Sequence, residues 1–259
     1  MELVSFLLPL LGALWWPFAR IMAMMATAPV LGEATVPMPV KALLSVVLAF
    51  LMLPMTKGGA MPDPFSLAGV VAMFEQAVIG GVIGLALQFA MAVISMLGFL
   101  ASSQIGFSMA QMNDPVNGAV SDVVSGLMAL VAMLVFFAID GHLILVTVLA
   151  QSFKAWPVGG GWGPMLLESV ALNLGWVFAA AILLALPIVF STMVVQVGFG
   201  FLNRVAPSLN LFSLGFPMAI IAGLTLIYLT LPNPSEAYLH LTRELLGNIG
   251  EILRSGRNV

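Results

Sequence analysis

Few side chains in this 259-residue chain could do chemistry, and they are scattered. There is no cysteine, which removes disulfides, thiolate metal ligands and Cys nucleophiles from consideration. The two histidines, His142 and His240, lie far apart and without clustered carboxylates, poor material for a metal site. No HExxH, Walker loop or Ser/His/Asp set is present. Gly159-Gly160-Gly161-Trp162-Gly163 lacks the Lys-Ser/Thr of a phosphate loop and reads as a flexible connection. The expectation is a protein that is not an enzyme, with no catalytic residue, no cofactor and no metal. What remains are ionisable residues within or beside apolar runs: Arg20, Glu75, Asp122, Asp140 and Glu168. A charge in hydrocarbon is costly, so such residues are suspects for proton relays or ion paths. Four of them sit near segment ends, where contact with headgroups makes them cheap. Arg20 sits deeper and is expected to pair with a carboxylate of another helix or another subunit.

The elements that must position these residues are long and apolar. The chain is 61% hydrophobic and 7% charged, against roughly 25% charged residues in soluble domains. With 8 basic and 11 acidic residues the net charge is −3. That excludes a soluble globular domain, a disordered chain and a nucleic-acid binder held by phosphate neutralisation. A first run spans Leu3 to about Val30, interrupted by Pro9, Pro17 and Arg20. Glu2 stands where a cleavable signal would carry basic residues, so the N-terminus is expected to stay. Gly32 to Pro39 forms a loop, Lys41 opens a second run to Leu53, and Lys57 to Pro64 turns the chain. No charge occurs between Gln76 and Asn113, far more than the roughly 20 residues that cross a bilayer core. Val120 to Ile139 follows, then the turn Asp140-Gly141-His142 and an apolar stretch to Phe153. Met165 to Leu202 contains Pro187, predicted to kink a helix, and Leu209 to Leu231 contains Pro217. The tail differs: Asn233-Pro234-Ser235-Glu236 is a helix start signal, and Tyr238, Leu241, Leu245, Ile249 and Ile252 recur at helical spacing, which predicts an amphipathic surface helix. Strand-type alternation is absent. The fold class is all-α, an integral-membrane-type protein of long kinked helices and helical hairpins. Positive-inside counting places Arg204 and the tail's Arg243, Arg254 and Arg257 on the same side, although one hydrophobic segment separates them. Helices that do not cross a bilayer in the ordinary way would resolve that conflict.

Gly80-Gly81 and Gly84 place small residues at helical spacing, a face for close helix packing. Gly198 and Gly200 after Gln196 would similarly let a partner backbone approach. The stretch from Ser102 to Pro115 is polar, contains Gly106 and ends on Asp114-Pro115, which predicts a helix followed by a non-helical insert. Non-helical backbone at membrane depth is tolerated only inside protein or along a cavity, and Met109 and Met112 would flank it with deformable side chains. Residue chemistry leaves two readings open: a loop lying in a pore, or an exposed turn between helices.

Gln104-Ile105-Gly106-Phe107-Ser108-Met109-Ala110, closed by Asp114-Pro115, resembles the signature loop of the FliR family. Asn203-Arg204-Val205-Ala206-Pro207-Ser208-Leu209-Asn210-Leu211-Phe212, followed by Leu214-Gly215-Phe216-Pro217, resembles its second motif, and Asp140-Gly141-His142 sits where the family has a similar turn. The resemblance covers nearly the whole chain. Gly-Phe-Pro after the second motif looks more like the flagellar than the injectisome (SctT) branch. It implies a core subunit of the flagellar type III export gate in the bacterial inner membrane and flagellar basal body. There the subunit would form, with FliP-like and FliQ-like subunits, a channel for unfolded flagellar proteins, beside FlhB-like and FlhA-like components. Residues 1–155 would correspond to a FliP-like part, 156–232 to a FliQ-like hairpin, and 233–259 to an amphipathic helix and tail. Gly106, Phe107, Ser108, Met109, Ala110, Gln111, Met112, Asn113 and Asp114 would form the pore plug. Many relatives carry aromatic residues where Met109 and Met112 stand. Asn203, Arg204, Val205, Ala206, Pro207 and Asn210 would form the cytoplasmic hairpin tip that contacts partners. The alternatives are an injectisome homologue and a polytopic small-solute or ion transporter; the latter predicts polar binding residues beside broken helices at the midplane, which Pro187 and Pro217 lack.

Overall fold

The computed structural model describes residues 2–33, 36–56, 62–106, 122–161, 165–205, 216–230, 236 and 238–245. Its helices are α1 (Glu2–Thr27), α2 (Met38–Met52) with a 3-10 turn at Leu53–Thr56, α3 (Leu67–Ile105), α4 (Val123–Ala138), α5 (Gly141–Ala155), α6 (Met165–Val205) and α7 (Phe216–Thr230). Residues 238–245 are also helical. No strand occurs among the described residues. Among the described residues, four helical stretches are long and apolar enough to cross a membrane, at Leu10–Thr27, Met38–Thr56, Leu67–Ile105 and Leu166–Val205. The all-α, membrane-type architecture expected from composition is the one observed.

Boundaries shift where local chemistry overrides the apolar pattern. Helix α2 starts at Met38, ahead of Lys41, because Pro39 in its first turn loses no hydrogen bond there. Lys41 is almost fully buried and donates to the carbonyls of Gly32 and Glu33, both at 3.1 Å. Helix α3 continues through Ser102-Ser103-Gln104 to Ile105, four residues into the polar stretch. Its 39 residues span about 58 Å at ~1.5 Å per residue, nearly twice a hydrocarbon core of about 30 Å. Helix α6 runs 41 residues and continues through Pro187. Between α4 and α5, Asp140 takes the left-handed conformation with φ 56°, which Asp tolerates better than most side chains. The Asp-Gly-His turn is therefore a two-residue break between helices rather than a longer loop.

The chain divides into two units. The first comprises Met1–Ala90, Phe136–Leu174 and His240–Val259. Its core gathers Ile21, Met24 and Met25 of α1, Ala49 of α2, Ile79 and Ile83 of α3, and Leu145, Leu149 and Phe153 of α5. Ser45 of α2 reaches back to Met22 while Lys41 caps the loop after α1, so α1 and α2 run antiparallel. Along α1 and α3 the paired contacts advance together: Trp16 packs with Ala72, Arg20 meets Gln76 and Gly80, and Met24 meets Gly84. Those two helices therefore run in the same direction, with α2 as the return.

The second unit comprises Met91–Val135 and Gly175–Leu239. In it the Cα of Ser125 on α4 lies where a Cβ at Gly98 would come within 2.7 Å, so α3 and α4 touch backbone to backbone. Helix α6 buries Val177, Ala181, Ala185 and Ile188 on one face and leaves Leu183, Phe190 and Phe201 exposed on others. Apolar exposure on that scale belongs against lipid or other subunits rather than water.

Between α1 and α2, Val30 has φ 65°, a conformation that crowds a β-branched side chain. Val30→Gly is expected to stabilise the protein by about 1 kcal/mol, read as a higher Tm of the detergent-purified protein.

Candidate functional site

The motif that begins at Gln104 starts in the second unit. Helix α3 stops at Gly106, whose φ of 93° is readily adopted by glycine and rarely by other residues. Its N–H donates to the carbonyls of Ser102 at 3.2 Å and Ser103 at 3.3 Å, closing the helix in the manner of a C-terminal glycine. Phe107, Ser108, Met109, Ala110, Gln111, Met112, Asn113 and Asp114 lie outside the described residues. Further along the chain Asp122 caps α4: its Oδ1 accepts from the N–H of Val124 at 3.3 Å and its Oδ2 from that of Ser125 at 3.2 Å. Ser102 Oγ donates to the same Oδ1. The two flanks of the 107–121 stretch are thus joined by a buried hydrogen bond. About two turns before Ser102 on α3, the Ser95 carbonyl accepts from Ser125 Oγ at 2.8 Å.

Helices α6 and α7 reach the same place. Gln196 Nε2 of α6 donates to the carbonyl of Gln104 at 2.7 Å, one of the last-turn carbonyls that a helix leaves without an internal partner. Ile105 lies against Gly223 of α7, where any Cβ would meet its side-chain carbons. Gly198 and Gly200, further along α6, have no atom near their missing Cβ positions. Asn203, Arg204 and Val205 form the exposed last turn of α6 rather than a loop. Ala206, Pro207 and Asn210 lie outside the described residues.

The first unit holds the deepest polar cluster. Arg20 is fully buried. Its Nε donates to Gln76 Oε1 at 2.8 Å, Nη1 to Ser152 Oγ at 3.1 Å and Nη2 to the carbonyl of Trp156 at 2.7 Å. The guanidinium also stacks 4.2 Å from the ring centroid of Phe153. The expected carboxylate is not among these partners; three neutral acceptors and an aromatic face take its place. They come from α3, α5 and the residue after α5, so one side chain ties three parts of the unit to α1. Gly80 lies one turn beyond Gln76, and a Cβ there would collide with the backbone carbonyl of Arg20. A Cβ at Gly84 would meet Thr27 Oγ1 and come within 2.6 Å of the Met24 carbonyl. Thr27 Oγ1 donates to the Gly81 carbonyl at 2.9 Å.

The other ionisable suspects sit at ends or edges. Asp122 is engaged as a cap. Glu168 lies exposed in the first turn of α6, where a negative charge suits the helix dipole. Asp140 is exposed between α4 and α5, and Glu75 is half-buried beside Gln76. His142 is exposed and packs on Phe137. Among the described residues no group of three or more His, Asp or Glu side chains could hold a metal ion.

The apolar run behind Asp122 was legible, although the residue itself was read as an ionisable suspect near a segment end and not as a helix cap. The roles of Ser95, Ser102 and Gln196 were not legible, because each depends on a helix distant in sequence.

Long apolar helices with buried polar cross-links, and no assembled reactive constellation among the described residues, define a helical membrane protein. Residues 11–245 match the family described as "Bacterial export proteins, family 1", and the chain belongs to it. The "Flagellar biosynthetic protein FliR" of Pectobacterium carotovorum subsp. carotovorum is 35% identical over 242 residues, covering 92% of each chain. Its namesake in Escherichia coli K12 is 30% identical over 94% of this chain and 93% of the relative. That of Bacillus subtilis is 25% identical over 90% and 94% respectively. Membership makes the chain a membrane component of the flagellar protein-export apparatus.

Proposed function

We propose that the chain is a core subunit of the flagellar type III export gate, forming with FliP-like and FliQ-like subunits the channel through which unfolded flagellar proteins leave. The observation that carries this reading is the convergence of α3, α4, α6 and α7 on Gly106 and Asp122, the two ends between which the motif through Asp114 lies. Four helices holding two chain ends suit a segment that must bear load across a pore, more than they suit an exposed turn. The length of α3 and α6 supports burial against other subunits, since about 60 Å of apolar helix exceeds what lipid alone could cover. On this reading residues 1–155 are the FliP-like part, 156–232 the FliQ-like hairpin and 233–259 the tail. The hairpin tip, Asn203 to Asn210, faces the cytoplasmic entrance and an FlhB-like partner, with an FlhA-like ring nearby. The assembly sits in the inner membrane and basal body, and the role is conduction, not catalysis.

Phe107, Met109 and Met112 seal the closed channel against ions and small solutes. Each Met side chain fills more than the ~30 Å³ that one water occupies. Met109→Gly combined with Met112→Gly is therefore expected to make cells leak small solutes while the subunit still co-purifies with FliP- and FliQ-like proteins. Normal assembly without leak would sink the sealing role. Failure of the wild-type chain to co-purify with those subunits would sink the assembly.

A further inference from the structure

We propose that Trp16, Arg20 and Gln76 form a buried site for one small monovalent anion of the size and charge of chloride. Each nitrogen of the Arg20 guanidinium makes a hydrogen bond, but the acceptors, Gln76 Oε1, Ser152 Oγ and the Trp156 carbonyl, are all neutral. Among the described residues the ion pair is His240 with Glu244, and no carboxylate pairs with Arg20. A cation buried without a counter-charge is costly, and the face of Phe153 offsets only part of that cost.

Two further donors lack an acceptor in the same place. Among the described residues Trp16 Nε1 and Gln76 Nε2 are buried without a hydrogen-bond partner. Trp16 is 1% exposed, and Arg20 and Gln76 are 0% exposed. Trp16 stands four residues before Arg20 on α1, and residues so spaced are neighbours on one helix face. It packs with Ala72, four residues before Gln76 on α3, and with Val158, two residues beyond Trp156. The two lone donors and the guanidinium therefore share one patch between α1, α3 and the chain after α5. That patch lacks an acceptor that is also negative. A water would serve the donors and leave the charge. A carboxylate of another subunit would serve both, but it cannot reach a guanidinium that has no exposed surface. Chloride accepts from several donors at once, carries the missing charge, and takes about the room of one water, ~30 Å³. Ala72, Val158 and Phe153 wall the patch with apolar carbon, which favours a singly charged ion over the doubly charged sulfate or phosphate.

The experiment melts the full chain, purified in detergent, in chloride, bromide or gluconate at constant ionic strength. A ligand of the folded state raises Tm as its concentration passes the dissociation constant and beyond. The wild-type Tm should rise with chloride and bromide and stay level in gluconate, which is too large for the site. Trp16→Phe keeps an aromatic ring and removes one donor, so the chloride concentration at which Tm begins to rise should move up about tenfold. Gln76→Glu keeps an acceptor for Arg20 Nε and supplies the negative charge itself. Its Tm in gluconate should match or exceed that of wild type and should not respond to chloride. A wild-type Tm equal in chloride and gluconate overturns the site, and so does a chloride response that Gln76→Glu retains in full. An onset left unmoved by Trp16→Phe also overturns it, because the anion would then bind elsewhere. Should Gln76→Glu fail to fold, the wild-type and Trp16→Phe curves still decide.

Discussion

Replacing Arg20 with Ala is expected to remove most of the folded protein from the membrane. The change deletes a fully buried side chain that serves three acceptors on α3, α5 and the residue following α5. The Gln76 amide would be left wholly unpaired, since its Nε2 already has no partner. The Trp156 carbonyl would lose the Arg20 donor. Ser152 is less affected, because its hydroxyl also donates to the Leu149 carbonyl at 2.7 Å. Each buried group left unsatisfied costs about 1–3 kcal/mol, and the cavity where the guanidinium stacked on Phe153 adds to that. A loss on the order of 5 kcal/mol rivals the total stability of many domains. Arg20→Lys should recover little, because an ammonium is a point charge and cannot present the planar fork that reaches three acceptors. Arg20→Met with Gln76→Leu should recover more than either alone, since removing both polar partners leaves less unsatisfied. Membrane-extracted yield and Tm of these five variants check this. A Tm for Arg20→Ala within a few degrees of wild type would show that the cluster is dispensable.

Arg20 also marks how far the sequence could be read. Its depth in an apolar run identified it as a residue that needs a partner, and the long runs identified the helices that surround it. Its partners were not legible. The expectation of a carboxylate followed from charge balance, whereas the structure satisfies a planar cation with a carboxamide, a hydroxyl, a backbone carbonyl and an aromatic face. Gln76, Ser152 and Trp156 are ordinary residues in sequence and become a site only when α3 and α5 pack against α1. The same holds for Ser102 and Gln196. Helix ends moved where a single residue dictates them: Gly106 closes α3, Asp122 caps α4 inside the run read from Val120, and Pro39 opens α2 where a loop was read. They were misplaced where polar residues are carried inside a helix, as with Ser102-Ser103-Gln104 and Asn203-Arg204. Polarity there reflects what the side chains contact and not whether the backbone is helical.

Gly80 and Gly81 are adjacent and should respond to the same substitution with opposite signs. A Cβ at Gly80 would overlap the carbonyl oxygen of Arg20 and come 2.8 Å from its carbonyl carbon and 3.1 Å from its Cα. Those are backbone atoms of a helix and cannot yield individually, so α1 as a whole would have to move away from α3. That motion opens the core around Ile21 and Met24 and stretches the Arg20–Gln76 bond one turn away. Overpacking of this kind costs about 1–3 kcal/mol or more, outweighing the ~1 kcal/mol by which Ala favours a helix over Gly. At Gly81 a Cβ would meet nothing within 4 Å. The bond from Thr27 Oγ1 uses the Gly81 carbonyl, which Ala retains. Only the helix-propensity gain remains, so Gly81→Ala should stabilise by up to about 1 kcal/mol. Gly80→Ala should lower the Tm of the purified protein and its yield, and Gly80→Val should lower both further. Gly81→Ala should raise the Tm slightly and leave flagellar export, read as swimming in a strain lacking the native gene product, unchanged. Equal effects at the two positions would mean that α1 does not approach α3 through Gly80, and that the small residues serve only to bend the helix.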